Sequence, residues 1–164
     1  MDAVLERARR IRLLVLDVDG VLTDGRLYLS PAGEELKVFH VRDGSGLVAV
    51  QRAGIAVAII SGRDSAAVSR RAAELGIRHV LQGVVDKGGE LDRLLAELVI
   101  DPVETACVGD DTPDLPMLRR AGLAVGVADA HPALLEAAHW ITRAPGGRGA
   151  VREVCDLLLS ARAA

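Results

Sequence analysis

The sequence predicts an α/β fold, a Rossmann-like parallel sheet with helices on both faces, built as one domain over residues 1–164. Two observations carry that expectation. Short, mostly apolar runs recur along the chain, and segments of helical character, about 10–15 residues in a βαβ unit, separate most of them. Those runs also lack a regular polar alternation, as strands covered on both faces do.

Composition agrees. Half of the 164 residues are hydrophobic and 26% are charged, which fits one packed core rather than a disordered tail. Twenty basic against 23 acidic residues leave a formal net charge of −3, too weak a field to support nonspecific nucleic-acid binding. Apolar runs such as Ile55–Ile60 are too short to span a bilayer. The opening residues Asp2, Glu6, Arg7, Arg9 and Arg10 do not read as a signal peptide. A soluble, cytoplasmic protein is therefore expected, with neither a membrane nor a nucleic acid as partner. Cys107 and Cys155 form no disulfide framework, and His40, His79, His131 and His139 share no zinc spacing. Only Tyr28, Phe39 and Trp140 are aromatic, so the core must be aliphatic and stacking on bases is disfavoured.

Taken in order, Ile11–Val18 opens the sheet as an apolar run ending in carboxylates. Two short runs, Arg26–Ser30 and Glu35–Val41, flank Pro31-Ala32-Gly33 and read as a β-hairpin inserted after that first strand. Further strands are expected at Ile55–Ser61, His79–Leu81, Thr105–Gly109, Leu123–Val127 and Trp140–Thr142. The intervening helices are Gly44–Ala53, Asp64–Leu75, Gly88–Leu98, Thr112–Ala121 and Pro132–Ala138, and Ala150–Ala161 closes the chain. The apolar residues of the hairpin (Leu27, Leu29, Leu36, Val38) suggest burial against a partner chain, since a small hairpin is rarely stable alone.

Ligands of open α/β sheets bind beyond the carboxyl ends of the strands. Those ends carry Asp17-Val18-Asp19-Gly20, then Ser61-Gly62-Arg63, then Lys87, then Gly109-Asp110-Asp111. Each cluster alone has a plain structural reading: a turn, a helix cap, a solvated lysine, a turn with a cap. Four in succession at strand ends point instead to one crevice. Converging carboxylates need a cation, and hard Mg²⁺ suits oxygen ligands. A hydroxyl, a lysine and free backbone N–H groups suit a phosphate beside it.

With these motifs the sequence resembles the haloacid dehalogenase-like hydrolase superfamily. Asp17-Val18-Asp19-Gly20-Val21, Ser61, Lys87 and Gly109-Asp110-Asp111 with Asp114 match its four motifs in turn. The stretches 17–25, 41–47, 61–77, 86–91, 109–118 and 146–154 look more narrowly like 3-deoxy-D-manno-octulosonate 8-phosphate (KDO 8-phosphate) phosphatases, from about residue 11 to 160. The resemblance implies a phosphomonoester hydrolase in which Asp17 is the nucleophile of an aspartyl-phosphate intermediate and Asp19 the general acid and base. It implies Mg²⁺ held by Asp17, the carbonyl of Asp19 and Asp110, with Asp111 and Asp114 behind them and Asp111 orienting Lys87. Ser61, the Gly62 N–H and Lys87 would bind the phosphoryl oxygens.

Gly62 lies only 43 positions after Asp19, and 25 residues lie between Ser61 and Lys87, so no lid domain fits. A capless site needs another wall. The resemblance implies a homotetramer with sites shared between subunits and the hairpin packed between them. It further implies that a phosphorylated sugar acid, feeding lipopolysaccharide sugar synthesis, meets Asp19, Gly20, His40, Val41, Arg42, Asp43, Gly44, Gly62, Arg63, Arg71 and Lys87. Arginine grips a carboxylate bidentately, which suits Arg63 and Arg71 to that task. For Arg71 a solvated helix face is the competing reading, and Arg148 is expected to close over a partner's site. Val48 departs from the family, which commonly carries a basic residue there. Two alternatives stay open: the same chemistry on a nine-carbon keto acid or on broad phosphomonoesters, and a non-catalytic oligomerisation module of sugar-acid activation.

Overall fold

A computed structural model describes residues 2–163. Six parallel strands form the sheet: β1 (Leu13–Leu16), β4 (Ala56–Ile60), β5 (His79–Leu81), β6 (Thr105–Gly109), β7 (Leu123–Gly126) and β8 (Trp140–Ile141). Their order across the sheet is β5-β4-β1-β6-β7-β8. The chain builds outward from β1 through β4 to β5, returns to the other side at β6 and continues to β8. The reversal beside β1 is the switch point at which such sheets open a binding crevice. β1, β6 and β7 are buried at every residue, which is why their runs read as unbroken apolar sequence.

Helices cover both faces. α1 (Asp2–Arg9) and α2 (Val41–Arg52) pack on α7 (Ala150–Ala163). α4 (Lys87–Leu98), α5 (Leu115–Leu118) and α6 (Pro132–Ala137) follow one another across the opposite face, and α3 (Ala66–Glu74) links β4 to β5. The core between them is aliphatic, with Leu13, Leu14, Leu16, Ile59, Ile60, Leu91 and Leu123 among its largest fully buried side chains. No helix among the described residues is long and apolar enough to cross a membrane.

Four local expectations are corrected. α1 was absent from the sequence reading; its charged surface hides the buried Ala8, and Arg7 Nη1 donates to the Gly122 carbonyl at 2.6 Å. The hairpin is shorter than expected, with β2 (Tyr28–Leu29) and β3 (Glu35–Leu36) pairing antiparallel through only two residues each. α2 starts at Val41, not Gly44: His40 Nδ1 accepts the Arg42 N–H at 3.2 Å and caps the helix. The span Thr112–Ala121 is not one helix. Pro113 and Pro116 lack the N–H that a helix interior needs, so a 3₁₀ turn over Thr112–Asp114 precedes the single turn of α5.

Candidate active site

The polypeptide leaves β1 into a tight turn. The Val18 carbonyl accepts the N–H groups of Val21, Leu22 and Thr23, while Thr23 Oγ1 accepts those of Gly20 and Gly25. Val18 goes into the core, and Asp17 and Asp19 both line the cleft beyond the sheet. Gly20, at φ +86°, admits close approach: a Cβ there would run into the Asp110 carboxylate. From behind, the Gly147 N–H donates to the Val21 carbonyl at 2.9 Å, and Gly146 lies so close to the Gly20 carbonyl that no side chain fits.

The cleft measures about 340 Å³ and is lined by Asp17, Asp19, Gly25, Ser61, Gly62, Arg63, Lys87, Asp110, Asp111, Pro113 and Asp114. At its floor Lys87 Nζ lies 2.8 Å from Asp17 Oδ1 and 2.6 Å from Asp114 Oδ1. All three side chains are buried, so the ammonium is held by charge where water scarcely reaches. Asp114 Oδ2 accepts the N–H groups of Asp110 and Asp111 at 2.9 and 3.3 Å. Asp111 itself accepts the Thr112 N–H at 2.7 Å, completing a reciprocal capping box with Asp114. The orienting partner of Lys87 is thus Asp114; Asp111 is spent on the cap.

Burial and like charge act together on the acids. Burial, then the Asp114 carboxylate, pushes Asp17 up to about 6 against the pull of Lys87. Burial, followed by Asp114, Asp17 and Asp111, pushes Asp110 up to about 8. On Lys87 burial works downward, but Asp17 and Asp114 outweigh it and its value rises.

One carboxylate oxygen from each of Asp17, Asp110 and Asp114 falls within a mutual 4.8 Å. Asp114 has both oxygens engaged already, which leaves Asp17 and Asp110 as the donors for a cation. An all-oxygen donor set whose members repel one another fits a hard divalent ion. His40, His131 and His139 instead each accept a backbone N–H, the first two as helix caps.

Two further groups escaped the sequence reading. Lys37 Nζ lies 2.5 Å from Asp19 Oδ1 and 2.8 Å from Glu35 Oε1, and Arg63 Nη2 meets the same Glu35 oxygen at 3.1 Å. Other expected contacts lie elsewhere. His40, Asp43, Gly44 and Arg71 border a separate, mostly apolar cavity with Leu22, Phe39 and Leu75. Val41 and Arg42 are exposed on the first turn of α2, and Arg148 is exposed beside the glycine turn. Asp43 is 2% exposed, and its Oδ1 accepts the Arg152 N–H at the start of α7.

Comparison with known proteins sets this chain among phosphatases. A family model described as haloacid dehalogenase-like hydrolase matches residues 79–152. The chain is 53% identical over 159 residues to the 3-deoxy-D-manno-octulosonate 8-phosphate phosphatase KdsC of Escherichia coli (strain K12), covering 97% of this chain and 85% of that protein. The crystal structure of the corresponding phosphatase from Yersinia pestis superposes with a TM-score of 0.97 at 52% identity, over 99% of this chain and 88% of that one. A Moraxella catarrhalis phosphatase of the same description, solved with magnesium, phosphate and a KDO molecule, gives 0.98 at 44% identity, over 99% and 94% of the two chains.

Proposed function

The chain belongs to the 3-deoxy-D-manno-octulosonate 8-phosphate phosphatase family of haloacid dehalogenase-like phosphomonoester hydrolases, and from that premise we propose that it hydrolyses this eight-carbon acid phosphate with Mg²⁺ as cofactor, through an aspartyl-phosphate. The observation that carries the reading is the Asp17–Lys87–Asp114 arrangement on the floor of a cleft that also holds Asp19 and Asp110.

Asp17 attacks phosphorus, so its new O–P bond forms as the ester P–O bond breaks, and Asp19 gives a proton to the departing alkoxide. Asp19 then takes a proton from water, the water oxygen attacks phosphorus, and the Asp17–phosphorus bond breaks to release inorganic phosphate. Ser61, the Gly62 N–H and Lys87 receive the phosphoryl oxygens, where charge spreads in the transition state. Asp17, Asp110 and the carbonyl of Asp19 hold the divalent ion, which when bound offsets the negative charge shared by carboxylate and phosphate. Asp114 acts through Lys87, fixing its ammonium.

Recognition of the sugar acid draws on Arg63 in the cleft, on His40, Val41 and Arg42 at the start of α2, and on Arg71 reaching a neighbouring site in a homotetramer, while the buried Gly20, Asp43 and Gly44 support these surfaces from beneath. Support comes from the hairpin and the turn after it, where Leu27, Tyr28, Leu29, Leu36, Val38 and Val41 are all exposed, from 40% at Tyr28 to 78% at Val41. An apolar patch of this kind marks an association surface. In this reading residues 1–164 act as one cytoplasmic domain supplying lipopolysaccharide sugar synthesis.

The test is phosphate release from 3-deoxy-D-manno-octulosonate 8-phosphate, with and without Mg²⁺, beside a nine-carbon keto-acid phosphate and simple sugar phosphates. Mg²⁺-dependent preference for the eight-carbon acid is expected, lost by at least about 10³-fold in Asp17→Asn. Preference for the nine-carbon acid or broad weak turnover moves the substrate assignment. A folded oligomer without activity on any of them makes the protein an assembly module.

A further inference from the structure

We propose that Lys37 is a positioning residue for Asp19, reaching in from the hairpin to select which carboxylate oxygen carries the catalytic proton; this rests on the phosphatase reading above. The side chain is built for a partner rather than for water. It follows β3 on a strand edge whose neighbours Leu36 and Val38 are exposed, yet only 3% of the Lys37 side chain is exposed. Burying an ammonium on an otherwise open hairpin is unfavourable unless anions meet it. Two do, Asp19 Oδ1 at 2.5 Å and Glu35 Oε1 at 2.8 Å.

From the side of Asp19 the contact is equally selective. Among the described residues, Lys37 is the one side chain that bonds the Asp19 carboxylate. A carboxylate free to rotate presents either oxygen to the substrate. With Oδ1 tied to the ammonium, Oδ2 is left for proton transfer, whether the group is giving a proton to the leaving alkoxide or taking one from water. Glu35 steadies the lysine, and its second contact, to Arg63 at 3.1 Å, ties the same short strand to another residue that lines the cleft. The hairpin thereby fixes one catalytic group of the cleft through Lys37 and touches a second lining residue through Glu35.

Leaving-group chemistry separates this role from general support. An alkyl phosphate needs its alkoxide protonated as the P–O bond breaks, whereas p-nitrophenolate leaves without a proton. The experiment follows the first turnover of the full, Mg²⁺-loaded protein on 3-deoxy-D-manno-octulosonate 8-phosphate and on p-nitrophenyl phosphate. Lys37→Met is expected to slow the alkyl ester by at least about tenfold, a part of the roughly 10²–10⁴-fold that a well-placed general acid supplies. It should leave the first release of p-nitrophenolate within about twofold of wild type. Lys37→Arg, which keeps the charge and a donor, recovers most of the alkyl rate. Equal slowing of both esters, or no slowing of either, overturns the proposal. Should Lys37→Met fail to fold, Lys37→Gln compared with Lys37→Arg gives the same ratio. Wild-type protein that turns over neither ester refutes the phosphatase reading itself, whereas active wild type matched by Lys37→Met refutes only this one.

Discussion

The strand-end cleft and the hairpin beside it are held in opposite ways. The cleft hangs on buried parallel strands, and its central cation is locked between two buried carboxylates. The hairpin has two paired residues per strand and turns apolar side chains to water. A two-stranded ribbon of that size does not hold itself together in water. In the function proposed here, phosphoryl chemistry falls to the rigid part of the chain, and recognition of the sugar acid leans on a part that needs outside support. Only the polar side of the hairpin, Glu35 and Lys37, is anchored, and it is anchored to the cleft.

The sharpest way to break this contrast is to remove the cation from the rigid half. Lys87→Met leaves Asp17 and Asp114 facing each other uncompensated, and should cost about 3–5 kcal/mol of stability in denaturant titrations. A loss below about 1 kcal/mol would mean that water already shares that pocket, and the cleft would be no more rigid than the hairpin.

A more gradual effect, spread over several pH units, is expected from pH on the metal-free protein. Asp17 and Asp110 stand at about 6 and about 8 in the folded chain, above their ordinary 3.8. The folded state therefore holds protons at these two groups that the unfolded chain has lost, so the stability they contribute is fully present below their ordinary 3.8 and is lost as pH rises through 6 and then 8. Mg²⁺ should relieve the same repulsion, so thermal melts with and without it should diverge increasingly across that window. A Mg²⁺ shift that is flat with pH would place the ion elsewhere.

The smallest effect on the chain itself belongs to the hairpin. Leu36→Glu alters an exposed side chain and should shift the unfolding midpoint by no more than about 0.5 kcal/mol. Its consequence should appear in sedimentation, as loss of the assembled species, with a raised KM for the sugar acid phosphate. Unchanged assembly would sharpen the contrast differently, by making the hairpin a free edge.

What the sequence disclosed follows the same division. Strands buried on both faces leave contiguous apolar runs, so the polar residues that end them stand out; Asp17, Ser61, Lys87 and Asp110 were legible for that reason. Groups that act across the fold were not. Lys37 meets Asp19 only because a short hairpin folds back over the turn, and nothing local fixes that angle. One faint signal existed: Glu35-Leu36-Lys37-Val38 alternates polar and apolar, placing both charges on one side. The exchange of roles between Asp111 and Asp114 was readable too, since an acid three residues before another, ahead of Leu115, has the spacing of a capping box. The charged helix α1 left little to find, because Ala8 is its one buried residue.

The glycine turn after β8 bears on how the protein is made. Gly20 emerges early in synthesis, but the backbone against which it rests, Gly146 and Gly147, is translated some 126 residues later. Asp43 likewise waits for the N–H of Arg152. A nascent chain can lay down β1, β4 and β5 in sequence, yet its reactive loop acquires a backing only once the last helix has docked. The loop that carries Asp17 and Asp19 is therefore completed late in the life of each polypeptide, and a nascent chain that ends before Gly146 holds these two carboxylates without the frame that backs them.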